Sequence, residues 1–300
     1  MFSEPLYKRR STGEKLNITF DFLRENFRAV CRNVLVVAAP FCIIFAIVFL
    51  QAYMSSDVWN TSMEWLNVLH IESSTLTTLR ILFPILTAAA VMPMAFTLID
   101  THYSRKGGIQ GLRFKDLRMT YFLNLSKWFL SFLPFILYAL LVVPVLIKGN
   151  EWFWMIVLTI IIFFFLEMAP PAFIIGRKKY GESMETTIRY AFSHFWNSLI
   201  ITLLLLLVGL LVFLWEIGVI NVIVEYKGMF LGTVPSNNIV AYAIYWILLL
   251  ALLLVLSVSV TLAITALSIG IVFQYGSLEE RNHRYELKEK IENFEKLRDE

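Results

Sequence analysis

Residues 239–275 read IVAYAIYWILLLALLLVLSVSVTLAITALSIGIVFQY, a run of 37 positions without one formal charge. An α-helix needs about 20 predominantly apolar residues to cross roughly 30 Å of hydrocarbon. This run exceeds one straight crossing and falls short of two with a turn between them, so it predicts a single long tilted helix that projects past the bilayer. Working outward from it, charge-poor runs recur at Val34–Tyr53, Ile81–Ile99, Phe129–Ile147, Trp152–Gly176 and Ser198–Val222. The expected fold is therefore all-α and polytopic, with six transmembrane helices. Composition agrees: 58% apolar, 15% aromatic, 16% charged and a mean hydropathy of +0.68, where soluble domains hold about 45–50% apolar and about 25% charged residues. A water-soluble enzyme and a disordered chain are excluded. A net charge of +3 makes no phosphate-tracking surface, which excludes a nucleic-acid partner.

The cations set the expected orientation. Of 26 Lys and Arg residues, all but Arg80, Lys148 and Lys227 fall in the N-terminal arm, the segments joining spans two to three and four to five, and the tail. The positive-inside rule then places both termini in the cytoplasm of a multi-pass protein of the bacterial inner membrane. The arm bears Lys8, Arg9, Arg10, Lys15, Arg24, Arg28 and Arg32 ahead of the first apolar run. It is too long and polar for a cleaved export signal and reads as the approach to an uncleaved anchor. Trp59, Trp65, Trp128, Trp152 and Trp196 fall near predicted membrane interfaces, where amphipathic rings concentrate. Cys31 and Cys42, eleven residues apart in one apolar stretch, cannot join in a disulfide.

An internal threefold pattern organises the spans. Before each odd span lies a stretch with apolar residues at helical spacing: Phe20, Leu23, Phe27 and Val30; Phe114, Leu117, Tyr121 and Leu125; Met184, Ile188, Phe192 and Phe195. Each carries a central arginine, Arg24, Arg118 and Arg189. Pro40 and Pro134 follow the first two by sixteen residues, with Leu205 at that place in the third. Pro93-Met-Ala-Phe96 and Pro170-Pro-Ala-Phe173 each run on to a tyrosine, Tyr103 and Tyr180, and Thr265 and Tyr275 hold those places in the third copy. The pattern predicts three hairpins, each preceded by a cytoplasmic interfacial amphipathic helix. The expected organisation is an arm over 1–18, a membrane domain over 19–276 with approximate repeats 19–103, 112–180 and 183–275, and a C-terminal helix over 277–300. That last helix is expected to start at the capping-box pattern Ser277-Leu-Glu-Glu280 and to carry Leu287, Ile291 and Phe294 among Glu286/Lys290 and Glu292/Lys296 pairs. Its apolar stripe suits docking on the membrane domain, self-association or a protein partner.

Chemistry-bearing residues are few. Glu167 and Glu216 lie inside predicted spans, where a carboxylate costs about 2.5–3.5 kcal/mol on insertion scales. Glu167 precedes Pro170-Pro171 by three residues, so it is a candidate for a protonatable site beside a kink, or for a structural hydrogen bond to a neighbouring helix. Glu216 sits nearer the outer surface, within reach of snorkelling. Arg24, Arg118 and Arg189 offer guanidinium donors at the headgroup plane, either to lipid phosphates or simply to water. His70, His102, His194 and His283 are dispersed along the predicted topology and assemble no metal centre, and no cofactor is expected. There is no phosphate-cradling loop, no nucleophile elbow and no H-E-x-x-H. Asn60-Thr-Ser62 is a sequon on the predicted outer side.

Three segments carry a resemblance: Phe20–Phe27 leading to Pro40, Ser183-Met-Glu-Thr-Thr-Ile-Arg-Tyr-Ala-Phe192 on to Trp196, and Phe273-Gln-Tyr-Gly-Ser-Leu-Glu-Glu280. In these the chain resembles a group of uncharacterised six-span Bacteroidetes membrane proteins. More distantly it is similar to the membrane domain attached to some glycerophosphodiester phosphodiesterases, whose soluble catalytic barrel has no counterpart here. Some of the Bacteroidetes group bear a beta-carotene oxygenase label; such enzymes hold iron with converging histidines, which this sequence does not supply. The expected function is a non-enzymatic membrane protein that organises lipids or binds a partner. The alternative is a small-solute or lipid transporter working through Glu167.

Overall fold

A computed structural model describes residues 4–55, 73–105, 108–141, 166–225 and 239–298, together with Leu158 and Ile162. The chain is all-helical, with no strand among the described residues. The elements are α1 (Thr12–Ser55), α2 (Ser73–Ser104), α3 (Phe114–Ser131), α4 (Leu133–Leu141), α5 (Ala169–Ile174), α6 (Tyr180–Glu225) and α7 (Ile239–Arg298). Among the described residues three helices are long and apolar enough to cross a membrane, in α1, α2 and α7, and a bent pair within α6 makes a fourth if counted as one span. The predicted crossings at Phe129–Ile147 and Trp152–Gly176, and Trp59, Trp65 and Trp152, fall partly or wholly outside the described residues.

Local chemistry explains where the helices start and bend. At the head of α1 the Glu14 carboxylate accepts the Ser11 amide at 2.6 Å while the Glu14 amide donates to Ser11 Oγ at 3.3 Å, a reciprocal capping box. Asp116 does the same service for α3, its Oδ2 accepting the Arg113 amide at 2.9 Å. Pro170 and Pro171 open α5 rather than kinking a longer helix; first-turn positions need no amide donor, so proline is tolerated there. The expected kink is thus a helix start at Ala169. In α6 the backbone departs from helical geometry at His194 (φ −135°, ψ 26°), and Tyr180–Trp196 and Leu199–Leu211 diverge by 79°.

Two expectations about element boundaries need correction. The first interfacial stretch is no separate helix: α1 runs unbroken over 44 residues from Thr12 through Pro40 to Ser55, because nothing between Phe20 and Val34 interrupts the hydrogen-bond ladder. Ser277 likewise starts no helix, since α7 continues for 60 residues across it, about 90 Å at the helical rise. The Ser277 hydroxyl accepts the Arg10 amide at 3.1 Å instead of capping. The long helix predicted from residues 239–275 is present and longer than expected.

The chain divides into two compact units. One comprises Asn33–Met92 and Leu206–Thr265. Its core is Phe45, Ala46, Ile220, Tyr245, Leu249, Leu253 and Leu256. Gly209 lets α6 approach Ala263 of α7 so closely that an added Cβ would lie 3.2 Å from its methyl, the small-residue contact typical of helices in lipid. Cys42 is buried here as a free thiol with Thr261 Oγ1 3.5 Å away. Ile43, Ile47, Leu207, Leu211, Ile244, Ile247 and Leu248 face outward; continuous apolar faces of this extent have no place in water and fit hydrocarbon.

The other unit comprises Met1–Arg32, Pro93–Leu205 and Ala266–Glu300. Both units draw on both halves of the chain and cut across the consecutive repeat ranges. In this second unit Phe22 of α1 stands edge-on to His102 of α2 and Phe273 of α7, with centroids 5.2 and 6.0 Å apart. α3 packs on α5, and Asn124 Nδ2 donates to Thr97 Oγ1 of α2 at 3.0 Å. Trp128 is buried against Phe132, with ring centroids 4.6 Å apart. Trp196 is exposed. The N-terminal arm lies on α7 so tightly that a Cβ on Gly276 would fall 2.6 Å from the Leu6 carbonyl oxygen. Gly276→Ala should therefore loosen the arm and cost about 1–3 kcal/mol through overpacking; limited proteolysis at the cationic arm residues, faster in the variant than in wild type, checks this.

Candidate functional site

Glu167 lies in the turn just before α5 and is 2% exposed. Thr202 of α6 donates its hydroxyl to Glu167 Oε2 at 2.9 Å. A buried carboxylate so bonded satisfies part of its desolvation cost locally. Ser183 reinforces the same junction by donating from Oγ to the Ala169 carbonyl at 2.9 Å. The contact has the form of a helix-to-helix hydrogen bond. Glu216 lies on α6, and its side chain falls outside the described residues.

The three repeat arginines are all exposed. Arg24 pairs with Asp21 at 3.0 Å and Arg189 with Glu185 at 3.1 Å, each one helical turn away. Exposed pairs of this kind contribute about 0.2–1 kcal/mol, too little to withhold a guanidinium from a competing phosphate. The structure does not bring the three together into one site. It does bring apolar side chains out beside each of them: Phe20 and Phe27 flank Arg24, Met119, Phe122 and Leu123 follow Arg118, and Ile188, Phe192 and Trp196 surround Arg189. Phe192 is 74% and Trp196 71% exposed. The predicted faces are only partly the exposed ones, since Val30, Leu117 and Tyr121 turn into the core. In α3 the outward apolar face is a second one, because Met119, Phe122 and Leu123 fall between the inward positions Leu117, Tyr121 and Asn124 at helical spacing.

A polar cluster around Glu279 was not legible as a site in the sequence. Glu279 of α7 accepts Lys178 Nζ at 2.9 Å through Oε1 and at 3.0 Å through Oε2, and accepts the Tyr190 hydroxyl at 2.6 Å. Lys178 also donates to Thr186 Oγ1 at 3.1 Å. The turn that presents Lys178 requires Arg177 in a left-handed conformation (φ 51°), and the chain there folds back with the Gly176 amide donating to the Pro171 carbonyl at 3.0 Å. Tyr275 packs on this cluster, its ring 6.4 Å from that of Tyr190. One carboxylate therefore joins the α5–α6 turn, α6 and α7. In the sequence its members fall in three separate patterns, Tyr190 in Ser183–Phe192, Tyr275 at the repeat ending and Glu279 in Ser277–Glu280, and nothing there joins them.

The arm is held in a related way. Arg10 donates to the Leu6 carbonyl at 3.0 Å, lies over the Phe273 ring at 5.7 Å and sits 3.7 Å from the Glu4 carboxylate. Burial pushes its guanidinium below the ordinary arginine value. Tyr103, the first repeat tyrosine, donates to the Glu4 carbonyl at 2.9 Å. Comparisons with protein-family models, curated proteins and solved structures find no match for this chain.

Proposed function

We propose that the chain is a non-enzymatic integral protein of the bacterial inner membrane that organises anionic lipids at the cytoplasmic leaflet. It crosses the bilayer six times as three hairpins, keeps both termini in the cytoplasm and offers residues 277–300 to a partner or a second copy. In this reading it is a member of the six-span Bacteroidetes group that it resembles. The observation that carries the proposal is the pairing of an exposed arginine with exposed large apolar side chains on α1, α3 and α6: Phe20/Arg24/Phe27, Arg118/Met119/Phe122 and Ile188/Arg189/Phe192. A helix face of that composition lies well at the headgroup boundary, apolar rings in the acyl region and guanidinium on phosphate. The burial of Glu167 and its bond from Thr202 supply a structural role for the residue on which a transport pathway would depend.

Nanodiscs of mixed phosphatidylcholine and phosphatidylglycerol test the proposal. The full chain should retain phosphatidylglycerol on delipidation at several times its bulk ratio. The triple variant Arg24→Gln, Arg118→Gln, Arg189→Gln should lose most of that enrichment, since each surface cation is worth about 1 kcal/mol toward an anionic leaflet. A bulk ratio around the wild-type protein overturns the lipid reading. Cysteine labelling that places residues 1 and 300 on opposite sides overturns the six-span topology.

A further inference from the structure

Beside the start of α1 lies a cavity of about 470 Å³ between the N-terminal arm and α7. Four cations line it, Arg9, Arg10, Lys15 and Arg281, against one carboxylate, Glu14. That carboxylate is already engaged in the capping box with Ser11, and Arg10 is committed to the arm carbonyls and Glu4. Lys15 and Arg281 are different. Lys15 is only 4% exposed as a residue, and it lines the cavity beside the other cations. Arg281 carries a buried Nε–H with no acceptor.

Cations gathered around one space repel one another, and an anion in that space relieves the repulsion and pairs with them. The same cavity receives the first turn of a 44-residue helix, whose dipole favours an anion. Lys15, Arg281 with its unsatisfied Nε–H, an exposed third cation in Arg9 and a helix N-terminus converge on a space large enough for a small tetrahedral anion. We infer that this cavity is a binding site for a phosphate group, with Lys15 as a point charge and Arg9 and Arg281 as guanidinium donors. Guanidinium groups match two phosphate oxygens at once, which a chloride ion cannot exploit. The site is separate from the outward arginine faces and does not rest on the lipid-organising proposal. The phosphate belongs either to free inorganic phosphate or to a phosphomonoester headgroup reaching in from the bilayer.

The test uses the full chain in nanodiscs of phosphatidylcholine alone, titrated with inorganic phosphate at constant ionic strength. Calorimetry should report one saturable site, and thermal unfolding should shift upward with phosphate, because a ligand bound only by the folded state stabilises it. Arg9→Gln changes an exposed side chain and should weaken phosphate binding by about tenfold while leaving the unliganded melting temperature unchanged. Lys15→Met should raise the unliganded melting temperature, by removing one of four crowded cations, and abolish the phosphate-dependent shift. The second arm adds phosphatidic acid to the nanodisc: displacement of inorganic phosphate assigns the site to a headgroup, and unchanged binding assigns it to the free anion. Absence of saturable binding for both inorganic phosphate and phosphatidic acid overturns the inference, as does wild-type affinity in both Arg9→Gln and Lys15→Met.

Discussion

Glu279→Gln should lower the stability of the folded chain by about 3 kcal/mol, because it strands the Lys178 ammonium in a partly buried place with its counter-charge gone. The side chains of the pair are 23% and 29% exposed, which keeps the cost toward the lower end for a desolvated ion pair. The Tyr190 hydroxyl, 2.6 Å from Glu279 Oε2, would keep a neutral acceptor and lose a charged one, a smaller penalty. The sign of the pairwise term is open to a direct check. If the loss comes from the orphaned ammonium, Lys178→Met in the Glu279→Gln background should recover much of it, and the double-mutant cycle should report coupling above about 1 kcal/mol. Equilibrium unfolding of detergent-solubilised protein supplies the numbers; additive single losses would show that Glu279 acts through packing alone.

Phe22→Ala should be equally damaging, costing about 3–5 kcal/mol. The ring has no exposed surface and fills the junction of α1, α2 and α7, edge-on to both His102 and Phe273. Truncation removes the transfer term of the ring and leaves a cavity walled by aromatic groups that cannot collapse inward without moving helix backbones. Phe22→Leu should cost roughly half as much by filling part of the space. Calorimetric or denaturant unfolding distinguishes the two, and equal losses in both variants would indicate that the aromatic edge contacts outweigh volume. Phe20, two residues earlier, is exposed, so Phe20→Ala serves as the matched control with little effect on stability.

These two sites show where reading along the chain succeeds and where it stops. Phe20, Leu23 and Phe27 were readable as an apolar helical face, yet Phe22 is the residue in the core of its unit. In a helix with apolar residues on more than one side, periodicity cannot say which face meets protein and which meets lipid, since both solvents are apolar. The same ambiguity hid the outward face of α3, where Met119, Phe122 and Leu123 are exposed. Ser277-Leu-Glu-Glu280 carries the letters of a helix start, but a capping box is used only where the ladder is broken. In α7 the ladder continues, which frees the Ser277 hydroxyl for Arg10. Pro170-Pro171 was readable as an interruption, and only the backbone distinguishes a kink from a restart.

By itself the sequence determined that the chain is helical and suited to lipid, because long charge-free runs leave backbone groups no means of satisfaction in hydrocarbon except the helix. It also determined which residues are cationic and into which connecting segments they fall. Only the tertiary structure decided that Lys178 meets Glu279 across 101 positions, that Arg10 meets Ser277 across 267, and that Lys15 and Arg281 share one cavity. Local spacing fixes neighbours three or four residues apart on a helix. Contacts between distant segments depend on how whole helices pack, and the pattern of any one of them does not encode it.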